Sequence, residues 1–220
     1  MADSYSGHNI TMPSRTIPLF PLHVVVFPRM PLPLHIFEER YKEMVGNAIR
    51  DNSEFGIVLA MVDGIVNAGC TVTVEKVMQM YADGRMDILT RGRRRFEIVA
   101  LNEENAWLEA EVAYFDDDDF AAPPEDLRLQ AVEHYKALRA FASAPGRGEP
   151  DLADRQLSFQ LAQSLPDLEF LNGLLRLRSE AGRLKELNQY LAAYIPRQRS
   201  IERMRGLAPT NGCGAKPAGL

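Results

Sequence analysis

The sequence predicts an α+β chain: a small antiparallel barrel or folded sheet with one inserted helix, followed by a helical bundle. Three observations predict it. Short segments between Phe55 and Tyr114 alternate apolar and polar residues at a period of two, with turn residues between them. From Glu38 to Arg50 the period shifts to that of a helix. After the acidic run Asp116–Asp119 and the pair Pro123-Pro124, every apolar stripe has helical spacing.

Residues 1–15 are polar and without periodicity, and are expected to be disordered. Pro18, Pro21, Pro28, Pro31 and Pro33 then force an extended course that cannot serve for long as a central strand. Phe37, Tyr41, Met44, Val45, Ala48 and Ile49 make one helical face. Glu38 and Glu39 sit at the end that favours anions, and Arg50 at the end that favours cations. Asp51-Asn-Ser stops the helix. Phe55–Val62 reads as a buried strand.

From Cys70, residues Val72, Val74, Met78 and Met80 share a face that only Lys76 interrupts. Ala82-Asp-Gly84 signals a hairpin turn, and Met86, Ile88 and Thr90 follow. Gly92 is read as a break. Phe96, Ile98 and Ala100 resume the alternation, and Leu108, Ala110, Val112 and Tyr114 give a last strand.

The sheet subdomain is thus set at residues 16–120, a helical bundle at 121–205 and a disordered tail at 206–220. The first bundle helix carries Leu127, Ala131, His134, Tyr135, Leu138 and Phe141 inward. Asp151, Asp167 and Ser179 are candidate caps of the next three, and Pro196 is expected to interrupt the last.

About 46% of the residues are apolar, enough for a real core, and the net charge is −5. Residues 1–123 hold 19 acids and 11 bases, so long-range attraction of nucleic acid is not favoured. The two cysteines, Cys70 and Cys213, give no disulfide framework and fit a reduced, cytoplasmic setting. The N-terminus has no apolar core of a signal peptide, and the longest apolar run has eight residues, so no membrane partner is expected.

Ile17-Pro-Leu-Phe-Pro-Leu, Phe27-Pro28, Met30-Pro-Leu-Pro-Leu-His-Ile-Phe-Glu and Arg40-Tyr41 resemble the opening of the Lon protease N-terminal domain. Gly69–Tyr81, Asp83-Gly-Arg-Met-Asp-Ile-Leu and Gly92-Arg-Arg-Arg-Phe96 are similar to its paired strands, and Leu152-Ala-Asp, Leu165-Pro166 and Arg183-Leu184 to its helical extension. The resemblance spans roughly residues 16–195. It implies a PUA-like pseudo-barrel followed by a helical bundle, and a role in substrate recognition.

No phosphate loop of the form G-x-x-x-x-G-K-[ST], no G-x-S-x-G elbow and no H-E-x-x-H helix occurs in the 220 residues. A non-catalytic protein-binding module without a cofactor is therefore expected, its partners being unfolded or specific protein clients. Val24, Val26, Phe27, Met30 and His35 are the candidate peptide-binding residues, because the prolines deny this apolar run regular pairing and part of it is expected at the surface. Extended peptide could also add to a barrel edge. No metal site is expected, since His23 and His35 have too few further ligands nearby; His35 is also read as a hydrogen-bonding residue.

Arg91, Arg93, Arg94 and Arg95 are a candidate anion site, and carry the alternative of a PUA-like nucleic-acid or small-ligand binder. Against it, only Phe96 offers a nearby stacking ring, and local acids such as Asp87, Glu97 and Asp116–Asp119 can pair the arginines. The methionines Met44, Met61, Met78, Met80 and Met86 are read as core.

Overall fold

A computed structural model describes residues 15–119, 121–140 and 149–207. The expected disordered ends fall outside these residues, except that Arg15 opens the first strand and residues 206–207 close the last helix. The chain forms two compact units. One holds the strands and residues 165–178; the other holds 119–164 and the chain from Ser179.

The first unit contains β1 (Arg15–Leu22), β2 (Pro31–Ile36), α1 (Glu39–Asp51), β3 (Phe55–Met61), β4 (Gly64–Met80), β5 (Met86–Asn102), β6 (Glu109–Phe115) and, later in the chain, α4 (Leu168–Arg176). The strand order is β2-β5-β4-β3-β1-β6. Because β6 also pairs with β5, five strands close on themselves and β2 is left as a sixth strand beside the first half of β5. Closure hides the edges of the five; β2 keeps one free.

The sheet is mixed rather than purely antiparallel, because β1 and β3 run parallel. Parallel neighbours need a crossover, and β2 with α1 supplies it. The prolines do not keep β1 out of the sheet. Its first half pairs with β6 and its second half with β3, with Leu19 at the junction also donating its N–H to the Leu108 carbonyl, so most of each half is bonded on one side. A residue without an N–H is tolerated where its nitrogen faces the unpaired side.

Ile17, Leu19, Val58, Phe96, Ala110 and Val112 form a core on one face of the sheet. Glycine makes room for it: a Cβ on Gly69 would lie 2.5 Å from the Phe96 ring, and one on Gly56 2.7 Å. On the other face α1 packs its buried residues Tyr41, Met44, Val45 and Ala48, with Tyr41 stacked on Phe20 at 4.0 Å. Asn52 closes α1 in the left-handed region, and the Ser53 N–H donates to the Ala48 carbonyl. At the N-terminal end Lys42 donates to Glu39 and to the Asp83 carbonyl, tying the helix to the β4–β5 turn.

β5 runs unbroken through Gly92, contrary to the expected break. A Cβ there would sit 2.1 Å from the Phe27 carbonyl oxygen. Gly92 is required by a backbone approach, with Arg29 N–H donating to the Gly92 carbonyl and Gly92 N–H to the Met30 carbonyl.

α4 lies within the stretch assigned by sequence to the bundle, yet it packs against β4. Asp167 caps it through the Phe170 N–H, as expected. Asn172 reaches the Ala68 carbonyl from its buried face.

The second unit contains α2 (Glu125–Arg139), α3 (Leu157–Ala162) and α5 (Glu180–Leu207). Asp151 caps only a turn, so α3 is shorter than the expected helix from Leu152. Ser179 does bond the Gly182 N–H at the start of α5. α5 continues through Pro196, which costs it the bond to the Ala192 carbonyl; both residues are exposed, and water can serve that carbonyl. Leu184, Leu187, Leu191 and Ile195 are buried along it. Among them lies a closed polar network. Glu180 accepts from the Ser158 N–H, the Ser158 hydroxyl and Arg183, and Arg183 also stacks over Phe159.

Candidate functional site

The expected peptide-binding run does not form a surface. Val26 and Phe27 are 3% and 1% exposed, and Val24 and Met30 are half-buried. The run satisfies its backbone on β5 at Gly92 instead of pairing as a strand, which takes its side chains inward. Of the five candidates only His35 is exposed.

The arginine cluster is likewise dispersed, by strand alternation and by the bulge between the Cys70–Arg95 and Val72–Gly92 pairs. Arg91 pairs with Glu75 and donates to the Arg29 carbonyl. Arg94 bonds Glu54 at 3.0 Å and lies 3.8 Å above the Tyr114 ring centre. Arg95 is buried, bonding Asp117 at 2.6 Å and the Leu175 and Leu177 carbonyls. It is a strut under α4 and cannot meet an external anion. Arg93 is exposed. Asp117, one of the anticipated acids, is used, whereas Glu97 faces Arg178 and Asp87 turns to His35.

That pair lies at the centre of the site the structure does assemble. β2, β5 and β4 extend beyond the closed barrel as a three-stranded leaf, with His35, Asp87 and Gln79 in one row across it. His35 Nδ1 donates to Asp87 Oδ1 at 2.6 Å, and the Tyr81 hydroxyl donates to Oδ2 at 2.7 Å. The His35 bond first, and the Tyr81 bond second, hold the Asp87 carboxyl below the usual carboxylate range. The same carboxylate pushes the Tyr81 phenol up. The rings gather around it: His35 lies 5.9 Å from Phe37 and 6.1 Å, edge-on, from Tyr81.

Large apolar side chains stand exposed on the leaf. Phe37, Met78 and Met80 are 59%, 58% and 55% exposed. Phe37 was assigned to the α1 core face, but α1 begins only at Glu39. Met44 and Met86 are core as expected, but Met61, Met78 and Met80 are not. β4 shifts register between Val74 and Lys76 and again between Val77 and Gln79, so strict alternation fails there. A shallow hollow beside the end of α1, lined by Ile49, Asn52, Val74 and Val77, opens along the same strand.

The free edge of β2 carries Pro31 and Pro33. Pairing with β5 leaves their nitrogens on the outer side, where they offer no donor. Addition of a peptide strand there is therefore disfavoured. A readable clue lay in the hairpin, since Tyr81 and Asp87 lie on either side of the Ala82–Gly84 turn, where a diagonal pair can meet. Among the described residues no group of three metal-ligating side chains comes together, and no helix is long and apolar enough to cross a membrane.

The chain and its fold match known proteins. The chain is similar to the Lon N-terminal domain protein of Xanthomonas campestris, at 26% identity and a TM-score of 0.65 over 79% of this chain and 96% of that one. The N-terminal domain of Mycobacterium avium complex Lon protease shares the fold at 18% identity and a TM-score of 0.56, covering 81% and 98% of the two chains. Curated relatives include the Lon protease of Parabacteroides distasonis, 25% identical over 46% of this chain, and Lon protease 1 of Hydrogenovibrio crunogenus, 24% identical over 44%. The matched stretches span 13% of the length of those two proteases. The family model of the ATP-dependent protease La (LON) substrate-binding domain matches residues 16–197, and the chain belongs to that family.

Proposed function

We propose that this chain is a non-catalytic protein-binding module that holds unfolded or otherwise exposed segments of client proteins. One observation carries the reading. Phe37, Met78 and Met80 stand exposed on a leaf whose free edge is blunted by proline. Methionine side chains are flexible and polarizable, and suit a surface that meets varied apolar sequences. Family membership supports a substrate-binding role.

The leaf offers no assembled nucleophile. His35 and Asp87 have the orientation of a base and its orienting acid, but the hydroxyl they gather belongs to Tyr81 and is bonded to the carboxylate. The nucleic-acid reading loses support, because Arg91, Arg94 and Arg95 are each tied to an acid of the same unit. Titration calorimetry with a reduced, unfolded polypeptide and no nucleotide tests the proposal. Saturable binding supports it, and absence of heat and of any complex by sedimentation overturns it.

A further inference from the structure

We infer that the His35–Asp87–Tyr81 cluster selects client segments in which a lysine or arginine adjoins apolar residues. The inference deepens the protein-binding reading and rests on it. The charge count around the leaf points to a cation. Glu38 pairs with Arg40 at 2.9 Å, Glu39 with Lys42 at 2.7 Å and Asp83 with Arg85 at 2.7 Å. The fourth carboxylate of this group, Asp87, is hydrogen-bonded by an imidazole and a phenol rather than by a lysine or arginine side chain. Its side chain is 36% exposed, and each oxygen accepts only one of the two hydrogen bonds it can take.

The rings favour the same guest. A cation is attracted to the face of an aromatic ring, and one already lies here: the Arg85 guanidinium sits 5.0 Å from the Tyr81 ring centre. Phe37 offers a second, 59% exposed ring, and His35 lies between the two. Phe37, whose ring stacks on that of His35, supplies the apolar surface beside the carboxylate. A client side chain would place its ammonium or guanidinium at Asp87, and an apolar neighbour against the Phe37 ring.

The test uses the full chain and two fluorescent unstructured peptides of identical apolar sequence, with a central arginine in one and a glutamine in the other. Fluorescence anisotropy is expected to show about three- to fivefold tighter binding of the arginine peptide. That ratio should fall to near one in Asp87→Asn, whatever happens to the absolute affinities. Equal binding of both peptides by the wild type overturns the cation inference and leaves the protein-binding reading standing. A preference that survives in Asp87→Asn overturns the assignment to this cluster. If neither peptide binds, nor any unfolded protein, the protein-binding reading fails and this inference with it.

Discussion

The carbonyl oxygen of Phe27 lies where a Cβ on Gly92 would be, 2.1 Å from it. This contact turns the proline-bounded loop inward and keeps β5 continuous. Gly92→Ala must displace backbone, and is expected to cost about 1–3 kcal/mol or more in urea unfolding, since overpacking is not relieved by a rotamer change. Gly46→Ala, with nothing within 4 Å of its added Cβ in α1, should gain about 0.5–1 kcal/mol.

The arginines of β5 should separate sharply on substitution. Arg95→Ala removes a buried guanidinium that bonds half-buried Asp117 and the Leu175 and Leu177 carbonyls, and should cost about 3–5 kcal/mol. Arg93→Ala should change stability by no more than about 0.5 kcal/mol. Comparable losses in the two variants would contradict the strut role of Arg95.

Asp87 gives a pH signature. A carboxyl held below its ordinary value contributes stability above the unfolded-state value, and that contribution is lost as pH falls through the folded value. Glu75 and Asp83 are lowered in the same direction, by Arg91 and by the Arg85 backbone N–H first. Unfolding midpoints should therefore drop in the acid range, below the ordinary carboxylate value. Tyr81→Phe should raise the Asp87 midpoint in a carboxyl NMR titration; an unchanged midpoint would show that the hydroxyl does not hold the carboxylate.

Much of the fold was legible because period and punctuation agree over most of the chain. α1 and its stop at Asn52, the hairpin at Gly84 and the Asp167 cap all follow from local chemistry. What escaped is set by contacts distant in sequence. Gly92 reads as a breaker until Phe27 lies against it, and α4 reads as bundle until Arg95 reaches its last carbonyls. The candidate site escaped for a related reason. Met78 and Met80 keep a core-like pattern, but the two register shifts in β4 break the link between alternation and burial. His35 is legible because it lies within the Met30–Glu38 motif; Tyr81 and Asp87 are not, because their shared bond depends on the hairpin closing.

The central claim is that the exposed leaf, and not the Val24–Met30 run, receives clients. Calorimetric titration of an unfolded polypeptide into the wild type and into Met78→Ser/Met80→Ser tests it most directly. Because both methionines are exposed, the double variant should keep its unfolding midpoint, while its affinity falls about tenfold or more. A double variant that folds normally and binds as tightly as the wild type would contradict the claim.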